Sequence, residues 1–231
     1  MTHLSINPLL GICLSCGAFL IARFIYQRTG QTAWLHPTVV GALIVIAALK
    51  GFSLNYDAYR QSVDLLYFLL GPATVALALP LYQQRHLIRQ AAGPLLLTTT
   101  FGASLASLSA LGLAWGLGGS ELLLRSIASK SITTPIAIAV SESIGGLASI
   151  AAGAVVFTGV IGIVFGPKIL NWMKVEDDRV WGFTMGLIAH GIGTVRAFER
   201  SPEAGAFASL GLGLTGSFSA LMIPLIASSL S

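Results

Sequence analysis

The sequence predicts an all-α, polytopic integral membrane protein from its composition, its hydropathy and the spacing of its polar residues. The chain is 55% hydrophobic and 10% charged, whereas soluble domains are about 25% charged. Its mean hydropathy is +0.82, and apolar stretches alternate with short polar connectors. One span takes about 20 apolar residues. The 231 residues therefore predict about six to eight spanning or half-spanning helices in a single transmembrane domain, 1–231.

Five apolar stretches predict complete spans, because each is close to the length that crosses a bilayer and most are rich in small residues that let helices pack closely. These stretches are 8–25, 34–49, 94–117, 147–170 and 205–227. A sixth stretch, 65–82, is interrupted by Gly71 and Pro72. We expect Pro72 to begin a half-helix, because proline suits the first turn of a helix and disrupts its interior.

Two further segments, 120–146 and 180–198, are too polar for a lipid-facing span. We predict that both are interrupted and partly re-entrant. Residues 74–79 also resemble residues 135–140, and each stretch precedes a glycine-rich span. Interrupted segments at matching places in two halves are typical of a binding site near the middle of the membrane. Alternatively, short alanine-rich similarities arise by chance.

The charge pattern excludes nucleic acid as a partner and suggests an orientation in the bilayer. The net charge of +4 comes without the basic run that nucleic-acid binding requires. The positive residues of the connectors are Arg23, Arg28, Arg85, Arg89, Lys168, Lys174 and Arg179. Because such residues mark the cytoplasmic side, we expect them on the cytoplasmic face of the membrane, with the N-terminus outside.

The first motif that predicts a binding site combines a lysine, several hydroxyls and a proline between apolar flanks. Pro135 suits the first turn of a helix, and Thr133 or Thr134 suits its N-cap. A helix that starts inside the membrane directs free N–H groups and a partial positive charge at its N-terminus. Lys130 adds a full charge, and Ser131 another hydroxyl, so the motif predicts a site for a small carboxylate. Alternatively, it is a solvated loop in which Lys130 only orients the chain.

The second motif places ionisable residues among glycines. Gly191 and Gly193 allow the backbone to bend, so we expect the helix to break at them. His190 and Arg196 lie in a segment where ionisable groups are costly and are typically functional. Arg196 is predicted to hold a carboxylate through two parallel hydrogen bonds. His190 and Thr194 are predicted to contact the same solute.

Each of these ionisable residues also has a structural interpretation. Arg196 alternatively pairs with Glu199 or Glu203 at the membrane edge, and His190 caps a helix. Glu142 is the one carboxylate well away from the obvious connectors. If transport is proton-coupled, Glu142 or His190 carries the proton; alternatively, Glu142 sits in water at a helix end.

Motifs for several other chemistries are missing from the sequence. It contains no phosphate-binding glycine loop followed by Lys-Ser or Lys-Thr, no His, Cys and carboxylate cluster with zinc spacing, and no serine hydrolase elbow. We therefore expect neither an enzyme nor a resident metal or cofactor.

Three ordered motifs of the chain resemble the LrgB/CidB family. They are GPATVALALPLY at 71–82, KSITTPIA at 130–137 and HGIGT at 190–194, and the residues around 203–207 also fit. The resemblance covers the chain from about residue 35 onward. Ser129 stands where the family usually has proline, and Val195 where it usually has alanine. Neither difference removes a charged or hydroxyl group.

The resemblance implies two functions. One is secondary transport of small 2-hydroxy or 2-oxo monocarboxylates such as glycolate, glycerate, lactate and pyruvate. The alternative is antiholin-like or holin-like regulation of murein hydrolase activity and cell lysis. The resemblance also implies a small LrgA/CidA-type membrane partner, and a homo-oligomer is possible. We favour transport, because a helix assembly that only forms lesions has no need of Lys130 or of two interrupted polar segments.

Overall fold

The computed structural model describes residues 7–76, 78–83 and 85–230. Throughout these residues the secondary structure is helical, with no strand, which confirms the predicted all-α class. The chain divides into two compact units, residues 1–78 and 79–231. The expectation of one transmembrane domain over 1–231 stays a prediction.

The first unit is built on a pair of apolar helices. Its elements are α1 (Pro8–Arg28), a 3-10 turn (Ala33–Leu35), α2 (Pro37–Gly51), α3 (Tyr56–Ser62) and α4 (Asp64–Ala76). A Cβ at Gly41 of α2 would lie 3.6 Å from the Cα of Phe19. The glycine therefore lets α2 approach the backbone of α1 closely.

Pro72 lies inside α4, which begins at Asp64 and continues to Ala76. This corrects the expectation that Pro72 begins a half-helix. A proline in a helix interior removes one backbone hydrogen bond, but membrane helices tolerate this loss because their other backbone groups have no better partner in lipid. The predicted echo between 74–79 and 135–140 includes Leu77, which lies outside the described residues.

The second unit contains both of the polar segments that the sequence singled out. It follows α5 (Ala78–Gln83), at the boundary between the units, and comprises α6 (Arg85–Gln90), α7 (Ala92–Gly116), α8 (Glu121–Ile127), α9 (Thr134–Ser143), α10 (Ala148–Trp172), α11 (Asp178–Arg200) and α12 (Pro202–Leu230).

Within the part of the chain that the structure describes, four helices, α1, α7, α10 and α12, are long and apolar enough to cross a membrane, and α2 is a shorter apolar helix. Large apolar side chains also cover their outer faces: Phe101 and Leu105 of α7 are 72% and 70% exposed. Such a surface is stable in lipid and not in water. The chain is therefore a multi-pass membrane protein.

The segment 120–146 forms a hairpin, which we call hairpin 1: α8 leads into it, residues 128–133 are its tip and α9 is its returning arm. At the end of α8, Ser126 Oγ accepts a hydrogen bond at 2.8 Å from the Leu147 N–H, just beyond the end of α9. Near the tip, Ser129 Oγ donates to the Ala137 carbonyl at 2.9 Å. The chain from 126 to 129 therefore runs antiparallel to α9.

The helix α11 forms a second hairpin, which we call hairpin 2, with arms 178–189 and 191–200 and His190 as its tip. A straight helix of its 23 residues would hold its ends about 33 Å apart. Instead, Arg200 Nε lies 2.6 Å from Asp178 Oδ1, and Ser201 Oγ donates to the same carboxylate. The break is at His190, whose φ of 46° and ψ of −124° are not helical. Both predicted re-entrant segments are thus confirmed.

The hairpins enter the unit from opposite ends. Residues 144–147 connect hairpin 1 to the start of α10, and residues 173–177 connect the end of α10 to hairpin 2. Because both connectors are short, hairpin 1 has its base at one end of α10 and hairpin 2 has its base at the other. This is the arrangement of an inverted repeat.

Hairpin 2 is held by unusually close helix packing. A Cβ at Gly182 or Gly186 would lie 2.0 Å from the carbonyl oxygen of Ala204 or Ala208, respectively, in α12. Only glycine permits backbones to approach so closely. The constant offset between the two pairs shows that the first arm of hairpin 2 runs parallel to α12.

The connector at the base of hairpin 2 has a pH-sensitive N-cap. Asp177 accepts a hydrogen bond from the Arg179 N–H at 2.8 Å and pairs with the Arg179 guanidinium at 2.6 Å. The hydrogen bond from the Arg179 side chain is the main cause that lowers the pKa of Asp177 to about 2. Because the folded-state pKa lies below the unfolded value, the carboxylate stabilises the fold above about pH 4. That contribution is lost as the pH falls toward 2.

We predict that Asp177→Asn makes the thermal stability of the protein less sensitive to acid. Asparagine is an equally good N-cap but carries no charge. Between pH 5 and pH 2.5, the Tm of the wild type should fall by about 1–2 °C more than that of the variant, since exposed pairs contribute little. Thermal melts followed by tryptophan fluorescence in detergent measure this difference. Parallel Tm profiles for the two proteins would contradict it.

Candidate functional site at the hairpin tips

The helix α10 contacts both hairpin tips near its middle. Ile132, in the tip of hairpin 1, belongs to the same buried apolar cluster as Val155 of α10. One turn further along α10, a Cβ at Gly159 would lie 3.6 Å from His190 Nδ1 in the tip of hairpin 2. Residues four apart are neighbours on a helix face. The two tips therefore meet, and they do so near mid-length of a helix long enough to cross the membrane.

The helix α12 repeats this arrangement. A Cβ at Gly211 would lie 2.5 Å from the Phe183 carbonyl oxygen of hairpin 2, and one at Gly216 would lie 3.1 Å from Ile136 Cδ1 of hairpin 1. Both glycines lie in the middle of α12. Gly182 and Gly186 face the residues 22 positions later in α12, a register that places the tip at His190 level with about residue 212. Both tips therefore lie beside the middle of α12, as they lie beside the middle of α10.

The tip of hairpin 1 has the helix start that the sequence predicted. Thr133 is the N-cap of α9 and Pro135 is in its first turn, but no side chain caps the free backbone N–H groups. Lys130 Nζ donates to Ser131 Oγ at 3.1 Å. Ser131 is buried, whereas Thr133 and Thr134 are half-buried. Uncapped N–H groups and an ammonium group therefore lie at one tip.

Lys130 brings a positive charge to the meeting point of the hairpins. Its side chain is half-buried, and it lies two residues before Ile132, which packs with Val155 one turn of α10 away from His190. No carboxylate in residues 7–76, 78–83 or 85–230 forms an ion pair with it. An ammonium without a protein counter-ion, beside a helix N-terminus, suits a bound anion.

His190 forms the turn of hairpin 2 and is 3% exposed. Its Nε2 has no hydrogen-bond partner among the described residues, while its carbonyl accepts a hydrogen bond from Thr194 Oγ1 at 2.8 Å. This corrects the expectation that Gly191 and Gly193 break the helix. Gly193 instead allows close packing of the arms, since a Cβ there would lie 2.2 Å from the Met185 carbonyl oxygen.

The family of this chain follows from comparison with known proteins. The model of the LrgB-like family matches residues 15–229. The chain belongs to the LrgB-like family. The match includes both hairpins and all the residues at their tips.

Several relatives of this LrgB-like protein match over nearly their whole length. It is 33% identical over 215 residues to the uncharacterized protein YxaC of Bacillus subtilis, with 93% of each chain covered. It is 30% identical to the antiholin-like protein LrgB of Bacillus subtilis, with 95% of each chain covered. It is 28% identical to the holin-like protein CidB of Staphylococcus aureus, with 96% of each chain covered. No solved structure matches the chain.

The LrgB-like chain does not bring every predicted site residue to the tips. Arg196 lies six residues beyond His190, about 9 Å along the second arm, and its Nη1 is 2.6 Å from Glu199 Oε2. Glu142 is exposed near the base of hairpin 1. The structure therefore gathers Lys130 and His190, but it does not place Arg196 or Glu142 beside them.

Sequence reasoning missed a buried polar residue in the middle of α12. Thr215 of α12 is 1% exposed, and its Oγ1 has no hydrogen-bond partner among the described residues. The sequence offered only a weak signal, a threonine beside Gly216 at the centre of an otherwise ordinary span. Within the described residues, no group of His, Cys, Asp and Glu has the arrangement of a metal site.

Proposed function

We propose that this protein is a secondary transporter of small 2-hydroxy or 2-oxo monocarboxylates. One observation carries the proposal: two hairpins enter the second unit from opposite ends and meet beside the middle of α10, where Lys130 forms no ion pair with a carboxylate among the described residues. Interrupted helices of this kind form the solute sites of many transporters, because their half-helix N-termini face anionic groups.

Each tip residue has a role in this proposal. Lys130 and the free N–H groups at the start of α9 bind the carboxylate. Ser131 orients the Lys130 ammonium group through the hydrogen bond between them. His190 faces the solute from the other hairpin and carries a proton if transport is proton-coupled. No bond is made or broken in the solute, so no enzymatic step is involved.

The distribution of charge supports an orientation for the second unit. Arg85 and Arg89 precede α7, and Lys174 and Arg179 lie between α10 and α11. Because α10 returns the chain to the end at which α7 began, these residues share the end that holds the base of hairpin 2. Cytoplasmic ends are rich in Lys and Arg. We therefore propose that hairpin 2 enters from the cytoplasm and that the protein resides in the bacterial inner membrane.

A second candidate function has specific support from the relatives. Two of those reported above are named antiholin-like and holin-like proteins, and these names favour a regulator of lysis over a carboxylate transporter. In that candidate, the chain acts on murein hydrolase activity beside a small LrgA/CidA-type membrane protein. That candidate gives no reason why Lys130 lacks a counter-ion among the described residues, which is why the geometry favours transport.

Purified protein in liposomes distinguishes the two functions. The vesicles contain unlabelled L-lactate and an entrapped fluorescent dye, with or without an LrgA-type partner. A transporter should accumulate external radiolabelled L-lactate by counterflow, with saturation, while the dye stays inside. Dye loss without saturable counterflow would overturn the transporter proposal and support the holin-like function.

A further inference from the structure

Thr215 differs from two other buried threonines, Thr99 and Thr194, in the hydrogen bonding of its hydroxyl group. Thr99 Oγ1 donates to the Leu95 carbonyl at 2.8 Å, and Thr194 Oγ1 donates to that of His190 at 2.8 Å. This bond to the preceding turn is the usual way in which a helix satisfies a buried hydroxyl. Thr215 Oγ1 makes no such bond and has no other partner among the described residues.

The position of Thr215 is between the two hairpins. It lies four residues after Gly211, which packs on Phe183 of hairpin 2, and directly before Gly216, which packs on Ile136 of hairpin 1. Gly182 and Gly186 face the residues 22 positions later in α12, and the same register places His190 level with about residue 212. Thr215 therefore lies within about 5 Å of the level of the hairpin 2 tip, measured along the axis of α12. A buried hydroxyl without a partner is costly, so a polar group at this depth is expected to satisfy it.

A second unsatisfied group lies at the same depth, on hairpin 2. His190 Nε2 is buried without a partner among the described residues, and Lys130 lies in the tip of the other hairpin. The ring and the hydroxyl are uncharged hydrogen-bonding groups, unlike the ammonium of Lys130. The meeting point therefore offers one charged and two uncharged groups, which matches a solute with a carboxylate and one further oxygen.

We infer that Thr215 and His190 form a subsite for the oxygen on C2 of the solute, and that Thr215 determines whether the site prefers a substituted acid. This inference rests on the proposed function and identifies its specificity-determining residue. A hydroxyl or keto oxygen at C2 satisfies both buried groups. An unsubstituted acid leaves both without a partner, and a site built for a hydrogen bond discriminates against such an analogue.

The test compares two acids that differ only in the C2 hydroxyl, L-lactate and propionate. Their dissociation constants are measured by calorimetry with the full chain in nanodiscs, which avoids the leak of propionate through vesicles. The substitution Thr215→Val keeps the shape and removes the hydroxyl. We expect it to weaken L-lactate binding about two- to tenfold, the range for one uncharged hydrogen bond, and to leave propionate binding unchanged or slightly tighter.

Two further variants make the test specific. Thr215→Ser retains the hydroxyl and should retain the preference for L-lactate, which excludes a packing effect. Thr99→Val makes the same change at a buried threonine outside the site and should change neither constant. An equal loss for both acids, or no loss, in a folded Thr215→Val protein would overturn the inference alone. If the wild type binds neither acid, the proposed function fails, and the inference fails with it.

Discussion

Replacing Lys130 by methionine should lower the saturable uptake of L-lactate about 10- to 100-fold, the range expected for a hydrogen bond to a charged group. Methionine keeps most of the length and the apolar stem of lysine but removes the ammonium. The solute carboxylate then loses the one tip residue that carries a full charge. Initial rates of counterflow into liposomes, measured at several concentrations, give the effect on kcat/KM.

Matched variants separate a role at the tip from a general effect of charge. Lys168→Met makes the same change at an exposed lysine of α10 and should leave uptake within about twofold of the wild type, since exposed charges contribute little. Arg196→Gln tests the residue that the sequence assigned to the carboxylate and the structure pairs with Glu199. Full uptake by Lys130→Met would refute the tip site. A loss confined to Arg196→Gln would instead assign the binding site for the solute's carboxylate to the second arm of hairpin 2.

Gly186→Ala should produce the second large effect, a loss of both stability and transport. The new Cβ would lie 2.0 Å from the Ala208 carbonyl oxygen, which belongs to the helix backbone and cannot rotate away as a flexible side chain can. The first arm of hairpin 2 and α12 must therefore separate, which moves His190 relative to α10. Overpacking of this kind typically costs about 1–3 kcal/mol, so we expect the Tm in detergent to fall by about 2–12 °C.

Gly213→Ala is the matched control for this substitution. Gly213 lies on α12 close to the same depth, and no atom lies within 4 Å of the position that a Cβ there would take. Because alanine favours a helix more than glycine does, the control should keep or slightly raise the Tm and should transport at the wild-type rate. Equal destabilisation by the two substitutions would show that close packing at Gly186 is not what holds the hairpin.

Much of the fold could be predicted because the relevant physics is local. Apolar runs of spanning length predict helices in lipid, and polar runs such as 120–146 predict where spans are interrupted. The start of α9 was also predictable, since Thr133 and Pro135 favour an N-cap and a first turn wherever they occur. Pro72 shows the limit of this reasoning, because its helix continues through the proline.

The candidate site depended on contacts that no local pattern encodes. In the sequence, His190 and Arg196 are equally strong candidates for a functional role. In the structure, the chain reverses at His190, so that Arg196 lies toward the base of hairpin 2 and pairs with Glu199. Thr215 was overlooked because one hydroxyl in a span is ordinarily bonded to its own helix. Its significance appears only when both tips are seen to pack against α12.

The amino-acid sequence alone specifies a multi-pass helical membrane protein with two interrupted segments and a lysine at one of them. Hydropathy and helix-start preferences depend on a few neighbouring residues, so they can be recognised in the sequence without the tertiary structure. The meeting of Lys130 with His190 required the tertiary structure, because the two residues are 60 positions apart. The glycine contacts of α10 and α12 set the depth of each hairpin, and that depth brings the charge and the unsatisfied polar atoms together.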